Sequence, residues 1–341
     1  MGGSGSAERG VRGRRRGAGC GDRRAVGGHR EGAGVSAEPR RQGEGLPALV
    51  AAMRPYQWPK NAVVFAAFVF SAGEAWTPGD PGTWWPLLWR SLVVFGLWCL
   101  AASATYLVND VRDREADRLH PRKRFRPIAR GAVSPRTAVA AAVVLGAAGV
   151  AGAAALDAAA GLVLAGYLGA MTLYSLGLKR VAILDILLLS AGVVGRAVSG
   201  AAAIEVDISP WLYVCSSFAA FFFATTKRWA EFRQLGAEAA RHRPSLAAYN
   251  AEVLELMLGV SAAGALLSYS LYTIESARVP DDGSMALTIP FVAFGLFRFL
   301  LLMSGPRQAD APDRVLFTDP QLLLAVAGFT AAAFAVLVAH R

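Results

Sequence analysis

Apolar residues fall in long unbroken runs, not in the alternation of a half-buried strand. Nine runs are legible, at about 62–74, 86–108, 136–156, 160–177, 183–203, 210–226, 252–274, 286–303 and 321–339. A bilayer-spanning helix needs about 20 predominantly apolar residues. The pattern therefore predicts an all-α integral membrane protein with nine transmembrane helices and short caps. The first run is short and is expected to begin before residue 62. Leu46 to Asn61 reads as an interfacial segment feeding it, with Tyr56 and Trp58 at the headgroup level. Arg54 and Lys60 either snorkel there or turn toward a phosphate.

The polar loops test this count. Loops after runs 2, 4, 6 and 8 carry the bases from Arg112 to Arg136, Lys179-Arg180, the stretch Lys227 to Arg243, and Arg307 with Arg314. Loops after runs 1, 3, 5 and 7 carry Glu74 and Asp80, Asp157, Glu205 and Asp207, and Glu275, Asp281 and Asp282, with Arg278 their one base. Lys and Arg mark the cytoplasmic side. The expected topology is a multi-pass plasma-membrane protein with its N-terminus inside and C-terminus outside. Trp84, Trp85, Trp89 and Trp211 then fall on the outer boundary.

Composition narrows the classes. At 54% hydrophobic and 18% charged over 341 residues, the chain is too apolar for a soluble globular protein. The net charge of +10 raises a nucleic-acid partner. The bases gather in loops and in the N-terminal tail, however, so no nucleic acid is expected. Cys20, Cys99 and Cys215 form no CxxC pair, and His29, His120, His242 and His340 are scattered, which leaves no disulfide framework or zinc site. Residues 1–45, rich in Gly and Arg, predict a disordered cytoplasmic tail without a secretory signal's apolar core. Residues 46–341 then form a single transmembrane domain.

The candidate chemistry follows run 2 directly. In Asn109-Asp110-Val111-Arg112-Asp113-Arg114-Glu115-Ala116-Asp117, the three aspartates stand at i, i+3 and i+7, one face of a helix, with Asn109 one turn before Asp113. Such oxygen ligands suit Mg²⁺, which binds through one or two carboxylates plus substrate phosphates. The bases Lys123, Arg124 and Arg126 suit those phosphates. The bland alternative is a solvated, charge-mixed loop. Tyr174 and Lys179-Arg180 at the end of run 4, Asp185 at the start of run 5, and Lys227, Arg228 and Glu231 after run 6 are expected on the same side. Glu231 also stands at i+3 from Arg228, as a local helix ion pair would. Asp185 and Arg196 share a face of run 5, where an ionisable group is either functional or a helix–helix hydrogen bond. Arg298 is expected to snorkel from run 8.

Asn-Asp-x-x-Asp-x-x-x-Asp after the second of nine runs resembles the UbiA superfamily of intramembrane prenyltransferases, over roughly residues 50 to 340. Closer still is the branch of decaprenyl-phosphate phosphoribosyltransferases. The similar segments are Arg54-Pro55-Tyr56-Gln57-Trp58-Pro59-Lys60-Asn61, Tyr106-Leu107-Val108-Asn109-Asp110-Val111-Arg112-Asp113, His120-Pro121-Arg122-Lys123-Arg124-Phe125-Arg126-Pro127-Ile128 and Gly177-Leu178-Lys179. In the superfamily a second aspartate-rich motif follows span 6 and helps bind an allylic diphosphate. Here Lys227-Arg228-Trp229-Ala230-Glu231 stands in its place.

The resemblance implies a nine-helix UbiA-like bundle. It also implies Mg²⁺ held by Asp110, Asp113 and Asp117, and substrate binding by Lys60, Tyr106, Asn109, Lys123, Arg124, Arg126, Tyr174, Lys179, Asp185, Lys227, Arg228 and Glu231. The implied substrates are phosphoribosyl diphosphate and a polyprenyl phosphate, with the product feeding cell-wall arabinan precursors. Homo-oligomerisation stays open. Two alternatives remain: a UbiA-type prenyltransferase using an allylic diphosphate and an aromatic or other small acceptor, and a transporter. A transporter predicts mid-membrane charge and repeat symmetry, whereas the charge here collects at one interface.

Overall fold

The computed structural model describes residues 45–236, 244–277, 279–304, 315–316 and 318–339. The expected tail, Gly45 apart, lies outside them, as do Arg243, Arg278, Arg307 and Arg314. Helix α1 (Gly45–Met53) passes through Arg54 into a 3₁₀ stretch (Pro55–Phe65) that continues as α2 (Ala66–Phe70). There follow α3 (Pro81–Arg112), α4 (Arg114–Leu119), α5 (Pro135–Leu156), α6 (Ala158–Leu176), α7 (Leu184–Ala203), α8 (Pro210–Leu235), α9 (Ala251–Glu275), α10 (Ile289–Ser304) and α11 (Pro320–Ala339). Among the described residues every regular element is helical, as predicted.

Among the described residues seven helices are long and apolar enough to cross a membrane: α3, α5, α6, α7, α9, the stretch Ser284–Ser304 containing α10, and α11. The protein is a multi-pass membrane protein, but the expected nine spans are met by seven. Run 62–74 is divided among the 3₁₀ stretch, five-residue α2 and a turn. Just before that run, Pro55 and Pro59 supply no backbone N–H, so an α-helical ladder from α1 cannot continue into it. Run 210–226 lies within α8, which is long enough at 26 residues. Its C-terminal part carries Lys227, Arg228, Glu231 and Arg233, and the helix is less apolar than the seven.

Caps define the helix ends. Asp157 closes α5 and also accepts the Ala160 N–H of α6 at 2.8 Å, so one residue makes the hairpin turn. Ser134 and Asn250 accept N–H groups at the starts of α5 and α9. α3 packs against α5, α6, α7 and the 3₁₀ stretch, α7 lies between α6 and α8, α8 packs on α9, and α10 on α11. One core gathers Val64, Trp98, Ala101, Leu164 and Ala203. Another gathers Phe222, Trp229, Leu254, Phe299 and Met303. Leu162, Val144, Leu267 and Leu324 stand exposed, the surface a bilayer would solvate.

The ends of the bundle sort as the charge alternation requires. At one end Lys179 meets Asp113, Arg112 donates to the Leu176 carbonyl at 3.0 Å, and Arg228 meets Asp185. At the other, Arg90 meets Glu205 at 2.8 Å and the Leu156 carbonyl at 3.3 Å. Trp85 and Trp89 are exposed there. Trp58 ties the 3₁₀ stretch to α3, its indole N–H donating to Ser103 Oγ at 3.1 Å. Arg298 does not simply snorkel. It binds Asp319 at 2.9 and 3.3 Å, joining α10 to the cap of α11, and the guanidinium holds the Asp319 carboxyl below the usual carboxylate range.

Close approach decides where the 3₁₀ stretch lies. A Cβ at Gly200 of α7 would stand 2.1 Å from the Val64 carbonyl oxygen. Gly200→Ala is therefore expected to cost about 1–3 kcal/mol, read as a lower thermal midpoint in detergent. Gly96→Ala, where nothing lies within 4 Å, serves as the control and should not lower it.

Candidate active site

The acid motif does not stay on one helix face. α3 ends at Arg112, Asp113 caps it with φ −87° and ψ 5°, and α4 begins at Arg114. The break divides the acids. Asp113 turns to α6's end, where Lys179 Nζ donates to its two carboxylate oxygens at 2.7 and 2.9 Å. Asp110 and Asp117, both buried, turn instead to Arg126, at 3.1 and 2.7 Å. Arg54 also donates to Asp110, at 2.5 Å, with its guanidinium 4.9 Å over the Tyr106 ring. Three carboxylates thus meet three cations from the 3₁₀ entry, the loop after α4 and the turn after α6.

Among the described residues no three His, Cys, Asp or Glu groups stand together as a metal cluster. One observation nevertheless fits a cation. Asp110 Oδ2 is buried and has no hydrogen-bond partner, and a buried carboxylate oxygen is costly to leave unsatisfied. Asn109 sits beside the motif, with Ser175 of α6 3.5 Å from its side-chain oxygen.

A second buried group lies across the same end. Asp185, at the first turn of α7, receives Arg228 Nε at 2.6 Å, Ser245 Oγ at 3.1 Å and the Tyr249 hydroxyl at 3.2 Å. Arg228 forks further, to Glu231 at 3.0 Å and Tyr174 at 3.3 Å. Arg228 is 2% exposed and Asp185 fully buried, so each charge depends on the other. Ile183, a β-branched residue, takes the left-handed region at φ 66°, and its N–H donates to Tyr249 at 2.5 Å. Burial pushes the Tyr249 phenol up, so the group stays protonated and donates to Asp185.

The structure brings together most of the expected residues. Tyr106, Asn109, Asp110, Asp113, Asp117, Arg126, Tyr174, Lys179, Asp185, Arg228 and Glu231 lie within these two networks. Lys60 and Lys227 are half-buried on the 3₁₀ stretch and on α8. Lys123 and Arg124 are exposed, and Arg124 lies over Phe125 instead of reaching an acid. Arg54, open to either role from sequence, joins the site. Tyr249 and Ser245 escaped sequence reading because nothing local marks them; the chain folds them back onto α7. Asp185 and Arg196 share the expected face, yet Asp185 meets α8 while Arg196 meets α3 and the 3₁₀ stretch.

Comparisons with known proteins agree with this architecture. The family model described as the UbiA prenyltransferase family matches residues 63–319. A decaprenyl-phosphate phosphoribosyltransferase of Mycolicibacterium smegmatis is 35% identical over 285 residues, 80% of this chain and 88% of the relative. One of the same name from Corynebacterium glutamicum is 32% identical over 278 residues, 80% of this chain and 82% of the relative. Among solved structures, a UbiA homologue from Archaeoglobus fulgidus bound to DMAPP and Mg²⁺ superposes with a TM-score of 0.64 at 18% identity, covering 85% of this chain and 99% of the other.

The buried pair makes a sharp prediction. Asp185→Asn leaves the buried Arg228 with Glu231 as its remaining carboxylate and is expected to cost about 1–3 kcal/mol, seen as a drop in thermal midpoint. The double change Asp185→Leu with Arg228→Met should recover much of that loss.

Proposed function

The chain belongs to the UbiA prenyltransferase family, and we propose that it transfers a 5-phosphoribosyl group from phosphoribosyl diphosphate to a polyprenyl phosphate, releasing diphosphate. The relatives named for that activity with decaprenyl phosphate match across most of their length. The observation that carries the choice of donor is the number of bases gathered at the site. Arg54, Arg126 and Lys179 each hold a carboxylate of the motif. In addition, α8 presents Lys227 and Arg228 where prenyl transfer uses a second acidic cluster. A donor with both a diphosphate and a 5-phosphate needs that many bases.

The catalytic domain spans residues 46–341. Asp110 and Asp117, with Asp113 at the turn between them, would hold Mg²⁺, and the unsatisfied Asp110 Oδ2 supports that assignment. Bound there, the ion supplies neutralisation of the leaving diphosphate. Arg54, Arg126 and Lys179 exchange carboxylate partners for phosphate oxygens as the donor enters. The Asp185–Arg228 pair holds Tyr174 and Glu231 at the rim of the site. An acceptor phosphate oxygen attacks C1 of the ribosyl group, and the C1–O bond breaks with its electron pair leaving on diphosphate, inverting C1. The acceptor is already anionic near neutral pH, so no general base is needed, and positioning carries much of the rate. The polyprenyl tail lies in the bilayer. The site faces the cytoplasm at the plasma membrane, with α8 and the Pro55–Phe70 stretch supplying the eighth and ninth crossings. The product serves as a precursor of arabinose donors for a cell wall.

Membranes containing the protein, given labelled phosphoribosyl diphosphate, Mg²⁺ and decaprenyl phosphate, are expected to move label into the lipid fraction. Transfer from an allylic diphosphate to an aromatic acceptor, with none from phosphoribosyl diphosphate, would overturn the reading. Asp113→Asn should lower Mg²⁺-dependent transfer by about 100-fold or more with an unchanged thermal midpoint. Full activity in that variant would refute the metal assignment.

A further inference from the structure

Deeper in the bundle, Arg196 of α7 holds a charge that no carboxylate among the described residues neutralises. Its Nε donates to Asn61 Oδ1 at 2.8 Å and its Nη1 to the Gly192 carbonyl, and its guanidinium lies over both the Trp98 ring, at 4.7 Å, and the adjoining Tyr167 ring, at 5.1 Å. The reach back to Gly192 aims the head toward the end that holds Asp185, about 10 Å away along the helix. A guanidinium has five N–H donors, and the two contacts leave Nη2 available. Beside it, the buried Trp98 Nε1 has no hydrogen-bond partner. Asn61 is itself buried, and its amide donates to Cys99 Sγ. Arg196, Tyr167 and Tyr106 are only half-buried, so the guanidinium is not sealed in the core. Tyr106, which lies under the Arg54 guanidinium, is within electrostatic reach of both arginines.

A cation at such depth is costly unless an anion meets it. We propose that Arg196, with Trp98 Nε1 and the brace from Asn61, is a deep subsite for a phosphate monoester of the substrate. This rests on the phosphoribosyl-transfer reading, in which two groups share that chemistry: the 5-phosphate of the donor and the phosphate of the acceptor.

Two variants and two probes test it. Arg196→Gln is expected to raise KM for one of the two substrates by about tenfold or more, as loss of a charged hydrogen bond requires, with much smaller changes in kcat and thermal midpoint. Arg196→Lys should recover part of that loss. Asn61→Asp installs an internal counter-ion, and it should keep or raise the thermal midpoint while weakening the same substrate. The substrate affected identifies the source of the phosphate. A binding arm needs no turnover: ribose 5-phosphate stands for the donor group and farnesyl phosphate for the acceptor. One of them should raise the thermal midpoint of the wild type and not of Arg196→Gln. If wild-type membranes transfer no ribosyl label, the functional reading falls and this arm still decides the subsite. Unchanged KM values with only a lowered midpoint would make Arg196 a helix brace and overturn the proposal. So would an Asn61→Asp protein that binds as the wild type does, or probes that stabilise neither protein.

Discussion

A carboxylate at the end of an apolar bundle stays ionised and buried only when a cation meets it, and that requirement organises one end of this protein. Asp110 is 1% exposed and touches Arg54 and Arg126; Asp117 shares Arg126; Asp113 has Lys179; Asp185 has Arg228. The partners come from different elements: the 3₁₀ entry, the loop after α4, the turn after α6 and the C-terminal part of α8. Each pair therefore also ties one segment to another, and breaking a buried one, at Asp110 or Asp185, exposes a charge that the apolar surroundings cannot solvate.

The helices serve this arrangement by their termini. α3 stops at Arg112, and its stop turns Asp113 away from Asp110. α6 ends near Lys179, and α7 opens with Asp185 after the strained Ile183. Arg54 takes the left-handed region at φ 57° immediately before Pro55, a costly conformation for a non-glycine residue, at the point where its side chain reaches Asp110. Strain at Arg54 and Ile183 thus coincides with the two places where the chain must aim a functional group.

A site whose acids are already matched by bases is suited to exchange. A phosphate group entering with a divalent cation can give each base a new anion and each acid a new cation, leaving the local charge close to balanced. Such an exchange limits the electrostatic cost of filling and emptying a site walled by hydrocarbon. The same logic sets Arg196 apart, because its partners are two aromatic rings, an amide and a carbonyl instead of an acid.

The order of apolar runs and charged loops was enough to determine an all-helical membrane bundle with its bases at one end, because hydrophobic length and charge placement are local properties of the chain. The acid motif was equally legible, since Asp110, Asp113 and Asp117 and their basic follower are contiguous. Where the 3₁₀ stretch lies against the bundle was decided by the close approach of Gly200 to Val64, which depends on packing. The division of the three acids between Arg126 and Lys179, the recruitment of Arg54, and the convergence of Ser245 and Tyr249 on Asp185 were decided only in three dimensions. These contacts join residues far apart in the chain, and no local pattern says which buried charge will meet which.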